Sequence, residues 1–271
     1  MATVYIAPTA QGLGDGTSAA NAYGYSSLDT AEADAGNGGT ILFTDGTYTF
    51  SGIQAWNAGG FADMTYKSLN RNGAYLFGDT ICRQILVGSS TTSTVKLEGF
   101  KAANVHYYSN FSATTATYNL ITHADTFEDG PGNFGIFGSS NHGQNHVISN
   151  SSIAYFPDNS TQRLFFYMQG ASIDHCSFFI KCPNVSANGI TTTGNRPTAT
   201  NSIFMSSNSS AIATACMDTA KCTNCCVYDM STDDTSGGTD NIFVDPQFVD
   251  SDNGDLRLRP TSPCIGAGST S

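Results

Sequence analysis

A short phrase recurs down the middle of the chain, and its spacing constrains the fold more than any other feature. Each copy has an apolar residue, a spacer, Asn or His, a small Ser or Cys, and then more apolar residues. The Asn or His positions lie 25, 26 and 23 residues apart. They are Asn150, His175, Asn201 and Asn224. Looser copies place Gly99 and His123 upstream, and a repeat of roughly 20–50 residues is typical of a solenoid.

Composition supports a solenoid and excludes several kinds of partner. Only 12% of the 271 residues are charged, against about 25% in typical soluble proteins. The net charge of −11 argues against binding to nucleic acid or to an anionic membrane surface. No apolar run approaches the ~20 residues that a membrane span needs. The N-terminal residues lack a basic region and a long apolar stretch, so we expect no secretory signal.

Both ends of the chain carry recognisable segments. The N-terminal segment predicts a strand over residues 3–8, a short helix with Leu28, Ala31 and Ala35 on one face, and strands on either side of Asp45-Gly46. The C-terminal segment reads DPQFV, then GDLRLRP, then SPCIGAG, within residues 241–271. Together with the repeat, these segments resemble right-handed parallel β-helix proteins of the pectate-lyase-like superfamily, of the secreted or bacteriophage-borne kind.

This resemblance implies an all-β fold: a single-stranded right-handed parallel β-helix with a short N-terminal capping helix. We expect one domain over residues 1–271. Its predicted parts are the cap and first strands (1–50), a loop excursion without clear periodicity (51–75), the repeating coils (76–240) and the closing element (241–271).

The repeat residues are predicted to be structural. Equivalent residues stack from coil to coil, so Asn150, His175, Asn201 and Asn224 should form a buried ladder at a bend, each followed by a small residue inside the turn. The alternative is a zinc site at Cys222, Cys225 and Cys226 with Cys216. Neighbouring strand residues point to opposite faces, so we expect no metal site and no cofactor, and we expect buried free thiols.

The candidate catalytic residues are acidic. The resemblance implies that a lyase of this class would use Asp-bound Ca²⁺ and a basic residue, and that a hydrolase would use clustered carboxylates. The weak candidates are Asp125, Glu128, Asp129 and Asp174. Asp174 and the turn 125–129 are predicted to share a face roughly 10 Å apart along the axis, given the ~4.8 Å spacing of strands. Further pairs are Asp158 with Arg163, and Asp174 with Lys181.

Glycan binding is the second possibility. Exposed aromatic rings stack on sugars, while Asn, Ser and Thr side chains bind hydroxyl groups. The aromatic candidates are Trp56, Tyr66, Tyr107, Tyr108 and Tyr155. Core packing or a subunit contact is the alternative role for each of them.

The leading hypothesis is a non-enzymatic structural or appendage protein of a bacteriophage particle, either a decoration protein or one like a tail spike or fibre. It would be a homotrimer that contacts other virion proteins and binds host-surface polysaccharide, without nucleic acid and without membrane insertion. The alternative function is a polysaccharide lyase or glycoside hydrolase of the β-helix class. The alternative location is secreted or extracellular.

Overall fold

The computed structural model consists mainly of short parallel strands wound into coils. It describes residues 1–78, 84–87, 93–109, 114–125, 137–139, 146–156, 166–167, 170–181, 197–207, 222–229 and 238–269. The strands, in chain order, are β1 (Thr3–Ala7), β2 (Tyr23–Gly24), β3 (Thr40–Phe43), β4 (Gly46–Phe50), β5 (Ile53–Trp56), β6 (Met64–Ser68), β7 (Ala74–Gly78), β8 (Gln84–Val87), β9 (Ser93–Glu98), β10 (Lys101–Ala103), β11 (His106–Ser109), β12 (Thr114–Asn119), β13 (Thr122–Asp125), β14 (Phe137–Ser139), β15 (Val147–Ser149), β16 (Ser152–Tyr155), β17 (Phe166–Tyr167), β18 (Ser172–Asp174), β19 (Ser177–Ile180), β20 (Thr198–Thr200), β21 (Ile203–Ser206), β22 (Cys222–Thr223), β23 (Cys226–Tyr228), β24 (Phe248–Asp250) and β25 (Asp255–Leu258).

Three parallel sheets run along the coils. Among the described residues, sheet A has ten strands in the order β2-β1-β3-β6-β9-β12-β15-β18-β20-β22. Sheet B has eight strands (β4-β7-β10-β13-β16-β19-β21-β23), and sheet C has five (β5-β8-β11-β14-β17). The chain passes from A to B to C and back to A, so each strand pairs with the strand one coil further on. This winding is the predicted right-handed parallel β-helix.

Period-two alternation explains why these short segments form strands. On sheet A the inward residues stack in register from one coil to the next, and each is fully buried. They include Ile41, Tyr66, Leu97, Tyr118, Ile148 and Ile173. The outward residues between them are mostly polar. The core is therefore one coil wide and continuous along the molecule.

The predicted capping helix is present as α1 (Leu28–Ala35). Its apolar face, formed by Leu28, Ala31 and Ala35, packs into the core against β1 and β3. Gly36 follows the helix with φ of +62°, a conformation that glycine adopts without strain. The helix thus covers apolar side chains that the first coil would otherwise expose.

The predicted loop excursion over residues 51–75 is wrong. This stretch contains β5, β6 and the start of β7, which pair in parallel within sheets C, A and B. Trp56, Met64 and Tyr66 point inward and are buried. The segment is an ordinary coil. Its strands of four or five residues are too short to show a clear period in the sequence.

The closing element returns along the outside of sheet B. β24 and β25 form an antiparallel hairpin, with Gly254 at φ of +80° in its connection. Phe248 and Leu256 of the hairpin pack on Ala154 and Phe179, which point outward from sheet B. The hairpin covers apolar surface that the coils themselves cannot bury. In the described parts of the chain, no helix has the length and apolar character that crossing a membrane requires.

Candidate functional site

The repeat residues lie at the corner where sheet A ends and sheet B begins. Asn150, His175, Asn201 and Asn224 all have left-handed backbone conformations, with φ between 48° and 54°. The backbone N–H of each corner residue donates to a carbonyl of the next coil, that of the residue directly before the next corner residue. Asn150 N–H, for example, donates to Asp174 O at 3.0 Å. Asn is enriched in this conformation because its short polar side chain tolerates it. The sequence phrase therefore marks a tight corner.

The corner ladder, defined by these left-handed residues, extends beyond the predicted copies. Gly99, Leu120 and Asp240 occupy the same corner, with φ of 78°, 55° and 55°. The prediction that His123 belongs to the series is wrong, because His123 lies within β13 and pairs with Ile153 on sheet B. Leucine is uncommon in the left-handed region. The repeated phrase, which has Asn or His at this position, therefore did not predict Leu120 as a corner residue.

The prediction of a buried ladder is also wrong. Asn150 is exposed, and the His175 side chain is 51% exposed. The following small residue is the buried one: Ser151, Cys176, Ser202 and Cys225 are each 3% exposed or less. The Ser202 hydroxyl accepts the N–H of Cys176 (3.1 Å) and donates to Thr200 O (2.7 Å). The small residue thus fills the interior of the turn and, where it is Ser202, forms hydrogen bonds with backbone groups there. The Asn or His side chain lies at the surface.

Sheet A presents a polar surface beside this corner. Its outward residues form two rows in register, from β12 to β22. We define the polar face by these nine residues: Thr117, Val147, Ser172 and Thr198 in one row, and Asn119, Ser149, Asp174, Thr200 and Thr223 in the other. None of the nine is buried, and all except Val147 carry a hydroxyl, amide or carboxylate group.

Asp174 is the most connected side chain of the polar face. Its carboxylate accepts hydrogen bonds from Thr200 Oγ1 (2.6 Å) and Asn201 Nδ2 (3.3 Å), and it contacts His175 Nδ1 at 2.8 Å. Partial burial acts to raise the pKa of Asp174. The hydrogen bonds from Thr200, His175 and Asn201 outweigh that effect and lower it. The group is therefore an ionised acceptor, held in place from the next coil.

A charged cluster lies at the N-terminal end of the polar face. Glu98 pairs with Lys67 (2.8 Å) and with Lys96, and its side chain is 13% exposed. Burial acts to raise the pKa of Glu98, whereas the two lysines lower it below its ordinary value. The three charges continue the two rows of sheet A, because Lys67 and Glu98 precede Asn119 in register.

The predicted acidic pair does not form. Asp125 ends β13 on sheet B, where it pairs with Tyr155, whereas Asp174 ends β18 on sheet A. The two positions lie on different faces because a corner and a whole strand separate them within a coil. Glu128, Asp129, Asp158 and Arg163 lie outside the described residues. Lys181 pairs with Asp252 of the closing element (2.9 Å), not with Asp174.

The choice of exposed aromatic rings is wrong for three of the five candidates. Trp56, Tyr66 and Tyr107 are fully buried in the core and present no ring face to a sugar. Trp56 stacks between Phe43 and Tyr66, which explains its inward position. The side chains of Tyr108 and Tyr155 are outside the described part of the structure.

A different aromatic cluster is accessible on sheet B. Tyr75 and Phe77 of β7 point outward and are half-buried, with ring centroids 5.9 Å apart. Lys101 Nζ lies 5.1 Å from the centre of the Tyr75 ring, within cation–π range. Alternation in β7 could have identified these rings, since Ala74, Leu76 and Gly78 take the inward positions.

The cysteines do not gather into a metal site in the described structure. Cys176, Cys222, Cys225, Cys226 and Cys264 are free thiols, and no group of three potential ligands is found among the residues that the structure describes. Cys216, the fourth member of the zinc alternative, is outside those residues.

Comparisons with known proteins give structural matches but no sequence match. No family model and no curated protein matches the sequence. Pectin methylesterase PemA from Erwinia chrysanthemi is a structural match, at 12% identity and a TM-score of 0.48, covering 95% of this chain and 85% of the other. Pectate lyase Pel9A matches at 14% identity and a TM-score of 0.47, covering 100% and 92%. The activities in those names belong to those proteins.

The chain's own topology shows its fold. Three parallel sheets are joined in the order A, B, C, a helix covers the first coil, and a left-handed corner recurs from Gly99 to Asp240. In fold, this chain is a right-handed parallel β-helix protein, as its start, repeat and end together predicted.

Proposed function

We propose that the chain is a glycan-binding β-helix whose polar face is the binding surface. The polar face carries the proposal because it offers two aligned rows of hydroxyl, amide and carboxylate groups at the ~4.8 Å spacing of neighbouring strands. Sugar hydroxyls both donate and accept hydrogen bonds, as these groups do. An extended polysaccharide laid along the row from Asn119 to Thr223 would meet a polar group at every coil.

The charges favour a neutral glycan over an acidic one. The chain has a net charge of −11, and Asp174 is kept ionised by its hydrogen bonds. Like charges repel a polyanion over the Debye length of about 10 Å at 0.1 M salt. Asp174 in turn accepts hydrogen bonds well, and such charge-assisted bonds are stronger than neutral ones.

A pair of matched double variants tests the surface. Thr198→Val with Thr200→Val removes two hydroxyls from the polar face and keeps the β-branched shape. Thr47→Val with Thr49→Val makes the same change at exposed positions on the outside of sheet B. Isothermal titration would measure binding to neutral glucans, mannans and galactans, with polygalacturonate as the anionic comparison.

The expected result is at least tenfold weaker binding for the polar-face variant only, about 1.4 kcal/mol for two hydrogen bonds. Equal losses in both variants would refute the polar face as the site, as would tight binding of polygalacturonate alone. The absence of binding to any glycan on a wider array of bacterial surface polysaccharides would refute the function itself.

The same proposal includes a location and an assembly. We infer that the protein is a structural appendage of a bacteriophage particle, contacts other virion proteins and forms a homotrimer. What supports this is the low charge and the solenoid architecture, which offers a long side for contact between copies. Light scattering should give three times the chain mass of 28.5 kDa. A monomeric mass would contradict the trimer.

A polysaccharide lyase or glycoside hydrolase is the second candidate, favoured by the Asp174–His175 pair. The carboxylate lies 2.8 Å from His175 Nδ1, and the imidazole is 51% exposed beside the polar face. A histidine oriented in this way by a carboxylate is suited to proton transfer. Release of shorter oligosaccharides by the wild-type protein but not by His175→Ala would support this candidate. Intact polysaccharide after prolonged incubation would count against it.

A further inference from the structure

Cys226 and Cys264 meet where the closing element returns to the last coil. Cys226 begins β23 and is 3% exposed, whereas Cys264 lies in the closing element and is half-buried. The two thiols are close enough that each shifts the pKa of the other, raising that of Cys226 and lowering that of Cys264. Both residues line a cavity of about 330 Å³ between the corner ladder and residues 266–269. The tertiary fold thus joins two cysteines that lie far apart in the sequence.

The neighbouring cysteines form a separate pair. Cys222 and Cys225 hydrogen-bond through their thiols inside the core, where they are 0% and 1% exposed. Val227 of β23 points into the core, and successive strand residues point to opposite faces, so Cys226 points outward to the side where Cys264 lies. Of the two pairs, the one formed by Cys226 and Cys264 is open to a reagent, since Cys264 is partly exposed.

Both residues of this pair are held in position by hydrogen bonds. Cys226 Sγ donates to Val244 O at 3.2 Å. The N–H of Cys264 donates to Ser262 Oγ (3.2 Å), and Ser262 Oγ in turn donates to Pro246 O (2.6 Å). The segments that carry the two sulfurs are thus held in place by neighbouring hydrogen bonds.

We propose that Cys226 and Cys264 are a modification site: in the presence of a disulfide oxidant they form a disulfide that fastens the closing element to the last coil. This inference is independent of the proposed function. It stands on the contact between the two thiols, their shared cavity and the partial exposure of Cys264.

The chemistry is thiol–disulfide exchange. The neighbouring Cys226 side chain lowers the pKa of the Cys264 thiol, so Cys264 is the attacking thiolate. Its sulfur attacks oxidised glutathione, forms a mixed disulfide and releases one glutathione thiolate, which takes up a proton. The Cys226 thiol then loses its proton and attacks the Cys264 sulfur, which releases the second glutathione. Two protein thiols are oxidised and one glutathione disulfide is reduced to two thiols.

The bond would act on the element that covers sheet B. Residues 226 and 264 enclose β24 and β25, and Phe248 and Leu256 on those strands bury the outward side chains Ala154 and Phe179. Ser269, beyond Cys264, donates its N–H to Asn201 Oδ1 at 2.8 Å. A cross-link at Cys264 restrains the unfolded state of this whole segment.

The test compares the intact protein after incubation with oxidised glutathione and with dithiothreitol. Peptide mapping by mass spectrometry under non-reducing conditions should find the peptides of Cys226 and Cys264 joined, with a loss of two hydrogens. The melting temperature should rise by on the order of 5 °C on oxidation. The half-buried position makes Cys264→Ser the mild variant, and it should abolish both changes.

Cys222→Ser is the matched control, because it alters the buried pair and leaves Cys226 and Cys264 intact. It should still form the cross-link and show the same rise in melting temperature on oxidation. Mapping that finds Cys264 as a free thiol, as a persistent glutathione adduct or joined to another cysteine would overturn the proposal. So would an equal rise in melting temperature for Cys264→Ser.

Discussion

At the scale of the residue, the corner of each coil depends on a left-handed backbone conformation. For residues other than Gly, Asn or Asp this conformation costs roughly 1–2 kcal/mol. Six corners of the ladder use residues suited to it or enriched in it, and Leu120 is the exception at φ of 55°. Leu120 is therefore a point where the sequence and the backbone disagree.

Leu120→Asn should raise the free energy of unfolding by about 1 kcal/mol, because asparagine relieves the strain at this corner. Urea denaturation would measure the change. Asn150→Leu is the converse variant at an exposed corner and should lower stability by a similar amount. If both variants shift stability in the same direction, the corner conformation is not what determines the effect.

A second residue-scale feature is the buried imidazole of His146. The ring is fully buried, and its Nδ1 accepts the N–H of Ala116 at 3.2 Å. That hydrogen bond requires an unprotonated Nδ1. Burial, which disfavours the charged form, lowers the pKa of His146 to about 4. The unfolded chain binds a proton at pH values where the folded chain does not.

Stability should therefore fall as the pH drops from about 6.5 to about 4. Above pH 6.5 the neutral His146 does not reduce the free energy of unfolding. Between pH 6.5 and pH 4 the free energy of unfolding falls by about 3 kcal/mol, because only the unfolded chain takes up the proton. Denaturation midpoints measured across this range would show the slope. His146→Asn keeps an oxygen acceptor near the Ala116 N–H and cannot titrate, so its profile should be flatter. An unchanged slope in that variant would assign the acid sensitivity to other groups.

At the scale of the element, one buried carboxylate fixes the capping helix to the coils. Glu32 of α1 is 1% exposed, and its Oε1 accepts Tyr66 Oη (2.6 Å) and the N–H of Asn57 (2.7 Å). Burial raises the pKa of Glu32 despite these two hydrogen bonds. The helix therefore docks through a polar contact as well as through its apolar face.

Glu32→Ala should destabilise the protein by about 2–4 kcal/mol, because it leaves two buried donors without their acceptor. Glu32→Gln keeps an oxygen acceptor and should cost less than half as much. Thermal and urea denaturation would rank the two variants. A glutamine variant as unstable as the alanine variant would show that the charge itself, not the hydrogen bonding, holds the helix.

At the scale of the whole molecule, each coil contacts mainly its neighbours, so the ends decide how far the core is protected. The capping helix covers one end, and the closing hairpin covers the outward apolar residues of sheet B. Phe248 and Leu256 are 6% and 5% exposed in that hairpin. Their loss would act on the last coils first.

The double variant Phe248→Ala with Leu256→Ala should lower stability by about 3–5 kcal/mol through lost apolar burial. Amide hydrogen exchange should increase in β16, β19 and β21, which the hairpin covers, and stay near wild type in β1, β3 and β6. Uniformly faster exchange along the chain would show instead that the molecule unfolds as one cooperative unit.

Sequence alone determined the fold of this protein, because a β-helix depends on local rules repeated at every coil. A left-handed corner needs Asn or a similar residue, the turn needs a small Ser or Cys, and strands alternate inward and outward. These requirements produce a repeat that is visible in the amino-acid sequence itself. The rules failed where Leu120 breaks the pattern and where the strands of residues 51–75 are too short to show it.

The tertiary structure decided which chemistry faces solvent. Trp56 and Tyr66 are residue types that stack on sugars, but both rings point into the core. The rings of Tyr75 and Phe77 point outward instead. Asp174 accepts hydrogen bonds from Thr200 and Asn201 of the next coil, and Cys226 lies beside Cys264 of the closing element. Such contacts depend on how coils stack in register and how the end folds back, which are relations between residues far apart in the sequence.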